Sequence, residues 1–175
     1  MSPLMSEPNR APTFASDDTV YATIETPAGH RTKYRWDPKK RVFVVSKILP
    51  SGMAFPYDFG FVPETKSGDG DLLDAMVIAD EPLAVGSVVE CRVLGVIEIK
   101  TSNPESGEVT RNDRLVLVPI ASLRGAHWRY IDDIPAVVEE ITGFFRTYIT
   151  REGRQFELLG TRGRAEALAL VRQHA

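Results

Sequence analysis

At 175 residues, with 21 Lys and Arg against 24 Asp and Glu and a net charge of −3, the chain has the size and polarity of one soluble domain. That balance and the lack of a basic cluster give no footing for nucleic-acid binding, and no stretch is apolar for long enough to span a membrane as a helix. The lone cysteine, Cys91, excludes an internal disulfide and a cysteine-built zinc site; it lies in the apolar run Val88–Val93, so a buried thiol in a reducing cytoplasm is expected.

Met1 to Asp18 is rich in Ser, Pro and Ala without the apolar core of a signal peptide, and reads as a flexible leader before one domain spanning 19–175. Tyr21 to Glu25 alternates like a half-buried strand, and Pro27-Ala28-Gly29 supplies a turn. His30 to Trp36 and Arg41 to Ser46 read as two more strands, separated by Asp37-Pro38-Lys39-Lys40. Met53 to Val62 is a dense aromatic run broken by Pro56 and Gly60, suited to core packing. Gly86 to Ile99 is a long β-prone run, Asn103 to Glu108 a hairpin loop by composition, and Arg114 to Pro119 the returning strand.

The period then changes. Val137, Ile141, Phe144, Phe145 and Tyr148 recur at helical spacing, with Pro135 placed for a helix start after Asp132-Asp133. Gln155 to Leu159 reads as a short strand, and Ala165 to His174 as a second helix with Leu168 and either Val171 or Leu170 inward. Strands first and helices last predict an α+β fold: a mainly antiparallel, OB-like β-barrel with two packed C-terminal helices.

One stretch does not reduce to packing. Asp69-Gly70-Asp71-Leu72-Leu73-Asp74 sets three carboxylates within six residues, just before the apolar Ala75-Met76-Val77-Ile78-Ala79. Like charges so close repel unless a cation sits among them, and an all-carboxylate donor set suits Mg²⁺, Mn²⁺ or Ca²⁺ better than zinc. Gly70 lets the loop turn sharply, and Asp74 stands at the mouth of a strand. The competing reading is an ordinary acidic turn, since Asp-Gly is a frequent turn signal. A calcium loop of the EF-hand kind fits poorly: Asp74 and Asp80 stand where Gly and Glu are required.

The acidic stretch resembles the D-G-D-P-x-D signature of family I soluble inorganic pyrophosphatases, and further matches follow in order. Ile24-Glu25-Thr26-Pro27 with Thr32-Lys33-Tyr34 is similar to I-E-I-P … I-K-Y; Phe55-Pro56-Tyr57-Asp58-Phe59-Gly60-Phe61 to Y-P-x-N-Y-G-[YF]. Pro82-Leu83 with Gly86-Ser87-Val88-Val89, and Gly143 to Tyr148, resemble the family's P-L-x-P-G-S-V-[IL] and H-F-F-x-x-Y. The resemblance covers nearly everything from Tyr21 onward. It implies Mg²⁺-dependent hydrolysis of pyrophosphate, with Mn²⁺ as a possible substitute, by in-line attack of a metal-activated water. It casts Asp69 and Asp74 as metal ligands, Asp71 as general base, Glu25 in the outer shell of the metals, and Lys33 and Tyr148 as phosphate contacts. It also implies a homo-oligomer, commonly a hexamer.

Several positions depart from the pattern. Thr101 and Asn112 stand where two further metal-binding aspartates belong, with Arg114 for the lysine that follows; Asn112 keeps an oxygen ligand, and Asp113 next to it is the alternative. Arg35 reverses the charge of a glutamate, Lys47 replaces a phosphate-gripping arginine, and Phe55 and Phe59 replace tyrosines. Ile149 replaces a lysine, and Leu72 the loop proline. Such losses predict a weakened pyrophosphatase; the alternative, from another class, is a non-catalytic binding or assembly module on the same fold.

Overall fold

The computed structural model describes residues 10–67 and 70–175. Five strands close into a barrel: β1 (Thr19–Thr26), β4 (Asp58–Val62), β5 (Leu73–Val77), β8 (Arg114–Pro119) and β6 (Val88–Ser102), which returns to β1. The two remaining early strands, β2 (Thr32–Asp37) and β3 (Val42–Ile48), leave the barrel as a separate two-stranded ribbon. They are moored at its root, where Tyr34 donates its backbone N–H to Thr26 Oγ1 and Trp36 to Glu25 Oε1. The long β6 outruns the barrel and carries the short β7 (Val109–Arg111) on one edge and β9 (Gln155–Arg162) on the other.

The barrel is mixed, which corrects the antiparallel expectation at one seam. β5 and β8 run parallel, with Ala75 opposite Leu115, while the other four pairings are antiparallel. The cause is arithmetic: a closed ring with an odd number of strands cannot alternate direction all the way round.

Alternation along β1 sends Val20, Ala22 and Ile24 fully inside, and β8 is buried at every position because both its faces are covered. α1 (Pro135–Arg151) starts on its proline and lays Ile141, Phe145, Tyr148 and Ile149 onto Phe55, Phe59, Ile97 and Ile99. α2 (Arg164–His174) buries Ala167, Leu168 and Val171 against Val62, Ala75 and Leu115, with Leu170 half-buried beside them. Cys91 is buried, and burial pushes its thiol far above the usual range. Of the expected leader, Arg10 to Asp18 is described: Thr13 is buried, its hydroxyl donating to the Pro63 carbonyl at 2.9 Å, and Phe14 bridges Val20.

Gly60 lies opposite Ile24 where β4 crosses β1, and a Cβ there would stand 2.0 Å from the Thr23 carbonyl oxygen. Backbone cannot give way as a side chain can, so Gly60→Ala should destabilise the fold by about 3 kcal/mol in urea melts. A loss under about 1 kcal/mol would contradict this close approach.

Candidate active site

A cavity of about 1240 Å³ opens at the end of the barrel where β5 and β8 begin. Glu25 of β1, Lys33 and Arg35 of β2, Lys47 of β3, Phe59 of β4, Asp74 of β5, Arg114 of β8 and Tyr148 of α1 all line it, with Asp71 from the loop before β5. The resemblance thus spreads its residues over seven elements, and the fold gathers them. Asp69 lies outside the described residues.

The acid side is a tight loop. Gly70 has a φ of +86°, the left-handed conformation for which a glycine was expected, and its N–H donates to the Ser67 carbonyl. Buried Thr65 ties the loop's two ends together, donating to Val62 and accepting from the Leu73 N–H. The end of α2 braces it as well, Lys66 N–H donating to the His174 carbonyl. Asp71 is exposed, and Asp74 faces Arg114, with Oδ2 and Nη1 3.1 Å apart.

Arg114 is the buried cation of the site, its side chain 5 % exposed. Its guanidinium lies over Phe145 at 4.6 Å and Phe59 at 5.9 Å, and Nη1 donates to the backbone and side-chain oxygens of Asn112. Its Nε is buried without a partner among the described residues. Asp113, the alternative to Asn112, is committed elsewhere: its carboxylate accepts from the Ile99 N–H and pairs with Arg111.

Opposite stand the other cations. Lys33 Nζ is 3.4 Å from the Tyr148 hydroxyl and over the Phe59 ring, and Lys47 lies over Tyr148 at 5.0 Å while pairing with Glu152. Burial works against the charge on Lys47, but its bonds to Glu152 and Tyr148 outweigh this and raise its pKa. Phe59 lines the cavity and packs on the core ring of Phe55, 5.5 Å away. Glu25 accepts from the Trp36 N–H, yet burial pushes its carboxyl up to about 7. Asp74 adds to that rise, while Lys33 and Arg35 oppose it; Arg35 makes no ion pair among the described residues.

Two residues escaped the sequence reading. Glu152 and Arg154 flank Gly153 in the turn after α1, and Arg154 Nη2 donates to Oγ1 of the fully buried Thr101 at 2.7 Å. Helical spacing was the available signal, since Glu152 is four residues beyond Tyr148 and so shares its face.

By residue type, the acid loop supplies the donors that suit a divalent ion. Asp71 and Asp74 are oxygen donors of the kind hard cations take, whereas Thr101 and Asn112 are neutral and already accept from Arg154 and Arg114. Among the described residues, no three of His, Cys, Asp and Glu are grouped to hold an ion.

Glu152 competes with an incoming anion for Lys47. Glu152→Gln should tighten inorganic phosphate binding roughly two- to fivefold by calorimetry, the range of a partly exposed ion pair, and unchanged affinity would contradict the competition. Glu25 makes a second prediction. Below pH 4.5 its carboxyl is protonated in both states; as pH rises, the unfolded chain ionises while the fold retains the proton, so stability falls until about pH 7. In chelator, the stability gained by Glu25→Gln should be absent at pH 4 and grow to on the order of 2–3 kcal/mol at pH 8. A pH-independent difference would rule this out.

The family model for inorganic pyrophosphatase matches residues 22–175. An inorganic pyrophosphatase of Nostoc sp. is 34% identical over 166 residues, spanning 94% of this chain and 95% of that protein. The one from Thermus thermophilus is 35% identical over 159 residues, 89% of this chain and 87% of the relative. The crystal structure of inorganic pyrophosphatase from T. thermophilus superimposes with a TM-score of 0.84 at 31% identity, covering 95% of each chain. Matching motifs, matching fold and matching length converge, and the chain belongs to the inorganic pyrophosphatase family.

Proposed function

We infer that this chain hydrolyses inorganic pyrophosphate to two phosphates with a divalent ion, Mg²⁺ or alternatively Mn²⁺. The observation that carries the reading is the Asp74–Arg114 pair inside the cavity, which sets the acid loop directly beside the deepest cation. Asp69, Asp71 and Asp74 would hold the ion, which when bound neutralises phosphate charge and activates water. Asp71, exposed at the mouth, would accept the proton of the attacking water. Lys33, Lys47, Arg114 and Tyr148 would receive the phosphates, with the Phe59 ring on the cavity wall keeping solvent from the reacting bond. Asn112 is better assigned to holding Arg114 than to the ion, because its side-chain oxygen is already engaged by that guanidinium. Glu25, half-buried behind the ribbon, would act at a distance from the ion.

Reduced turnover belongs to this reading. Thr101, Asn112 and Arg35 leave the site short of acids, so fewer ions are held than the family pattern provides. The second reading, a non-catalytic binding or assembly module, draws on the same arginines occupying those oxygens. We further propose a cytoplasmic homo-oligomer; among the described residues no helix is long and apolar enough to cross a membrane, and Val45 and Ile48 of β3 are exposed.

Phosphate release from pyrophosphate should rise with Mg²⁺, vanish in chelator, and fall at least about a hundredfold in Asp71→Asn. Equal silence of wild type and variant at high Mg²⁺ and Mn²⁺ would leave the module.

A further inference from the structure

Three of the cations that line the cavity stand without an ion pair among the described residues. Asp74 pairs with Arg114 and Glu152 with Lys47, but Lys33, Arg35 and Arg154 make no ion pair among the described residues. Lys33 is held by a phenol and by aromatic faces, and Arg154 by the neutral hydroxyl of Thr101. Cations gathered in one recess repel each other just as clustered carboxylates do, and what relieves them is an anion. Arg114 makes the same point from inside: it is a buried guanidinium in this cavity whose Nε has no acceptor among the described residues.

Arg154 is positioned rather than merely nearby. Thr101 is wholly buried in β6, next to the β9 strand that Arg154 leads into, so the 2.7 Å bond fixes one Nη of the fork against rigid backbone. Four residues back along β6, Ile97 pairs with Arg114, so the β6 residues that face Arg114 and hold Arg154 lie on the order of 13 Å apart along one strand, and both arginines line the cavity. A guanidinium stays charged at every working pH, and its planar fork matches the oxygens of a phosphate group.

We propose that Arg154, held by Thr101, acts with Arg114 to grip pyrophosphate directly, so that the anion binds this site without any metal ion. This rests on the reading that pyrophosphate is the substrate. It adds a substrate-binding residue, Arg154, and an order of events, in which the anion docks on protein cations and the ion joins at the Asp71–Asp74 edge. Where a carboxylate-rich site needs metal before it can admit pyrophosphate, this one admits the bare anion.

The test is calorimetric titration of the full-length protein with pyrophosphate in excess chelator at fixed ionic strength. Wild type should bind saturably at one site per chain. Arg154→Gln should weaken binding at least tenfold; Arg154→Lys, which keeps the charge but loses the fork, should fall between. Thr101→Val, which frees the fork without removing it, should cost severalfold. Melting each variant without ligand checks its fold, and the rise in melting temperature with pyrophosphate in chelator repeats the comparison where a variant is poorly soluble. Binding that requires Mg²⁺, or Arg154→Gln binding as tightly as wild type, overturns the proposal. The two readings fail separately. Chelator-resistant binding through Arg154 with no phosphate release in Mg²⁺ would sink the hydrolase and keep this site. Hydrolysis in Mg²⁺ with no binding in chelator would do the reverse.

Discussion

The parallel pairing of β5 and β8 is the constraint on which the site depends. Parallel neighbours begin at the same end of a sheet, so the register that sets Ala75 beside Leu115 brings Asp74 and Arg114, one residue earlier on each strand, side by side at one rim of the barrel. Had β8 run the other way, Arg114 would have opened at the opposite rim, more than a strand's length from the acid loop. An odd count of strands in a closed ring demands one such seam, and this chain spends it on the acid–cation pair.

Burial then raises the stakes of that pair. Arg114 is far less exposed than Asp74, so its desolvation is offset by several partners together: the Asp74 carboxylate, the Asn112 oxygens and the rings of Phe145 and Phe59. Three of those partners reach in from other elements, Asp74 from β5, Phe59 from β4 and Phe145 from α1. The helix that seals the barrel is also what holds the guanidinium in place, and one turn further on it delivers Tyr148 to Lys33 and Lys47. Packing and site are the same contacts here, so a cavity cut under α1 is felt as a loosened cation.

Local pattern carried much of this in the sequence. The period change at Pro135, the glycine in the acid loop and the alternation of β1 follow from side-chain direction and backbone freedom, which neighbouring residues determine. Partnership is another matter. That β2 and β3 form a ribbon outside the barrel, that β5 and β8 run parallel, and that Val109 to Arg111 pairs with β6 depend on residues distant in the chain. The same distance hid Arg154, whose role is defined by Thr101, 53 residues away. Asn112 and Asp113 were two adjacent candidates by residue type; in the link between β7 and β8 one turns to Arg114 and the other to Arg111 and the Ile99 amide, and only coordinates say which.

The departures from the family pattern are not scattered in their chemistry. Where acids are missing, guanidinium groups occupy the neighbourhood: Arg154 on Thr101, Arg114 on Asn112, and Arg35 beside Glu25. A carboxylate site binds anions by recruiting cations from solution, which costs the site its own charge repulsion until they arrive. A site with resident arginines carries the countercharge in its covalent structure and needs fewer recruits. The exchange has a chemical limit, because a guanidinium neutralises phosphate but cannot lower the pKa of water as an ion does. On this reading the surviving aspartates at positions 71 and 74 are what hydrolysis still requires of a metal, and the arginines have taken over the part of the work that is only electrostatic.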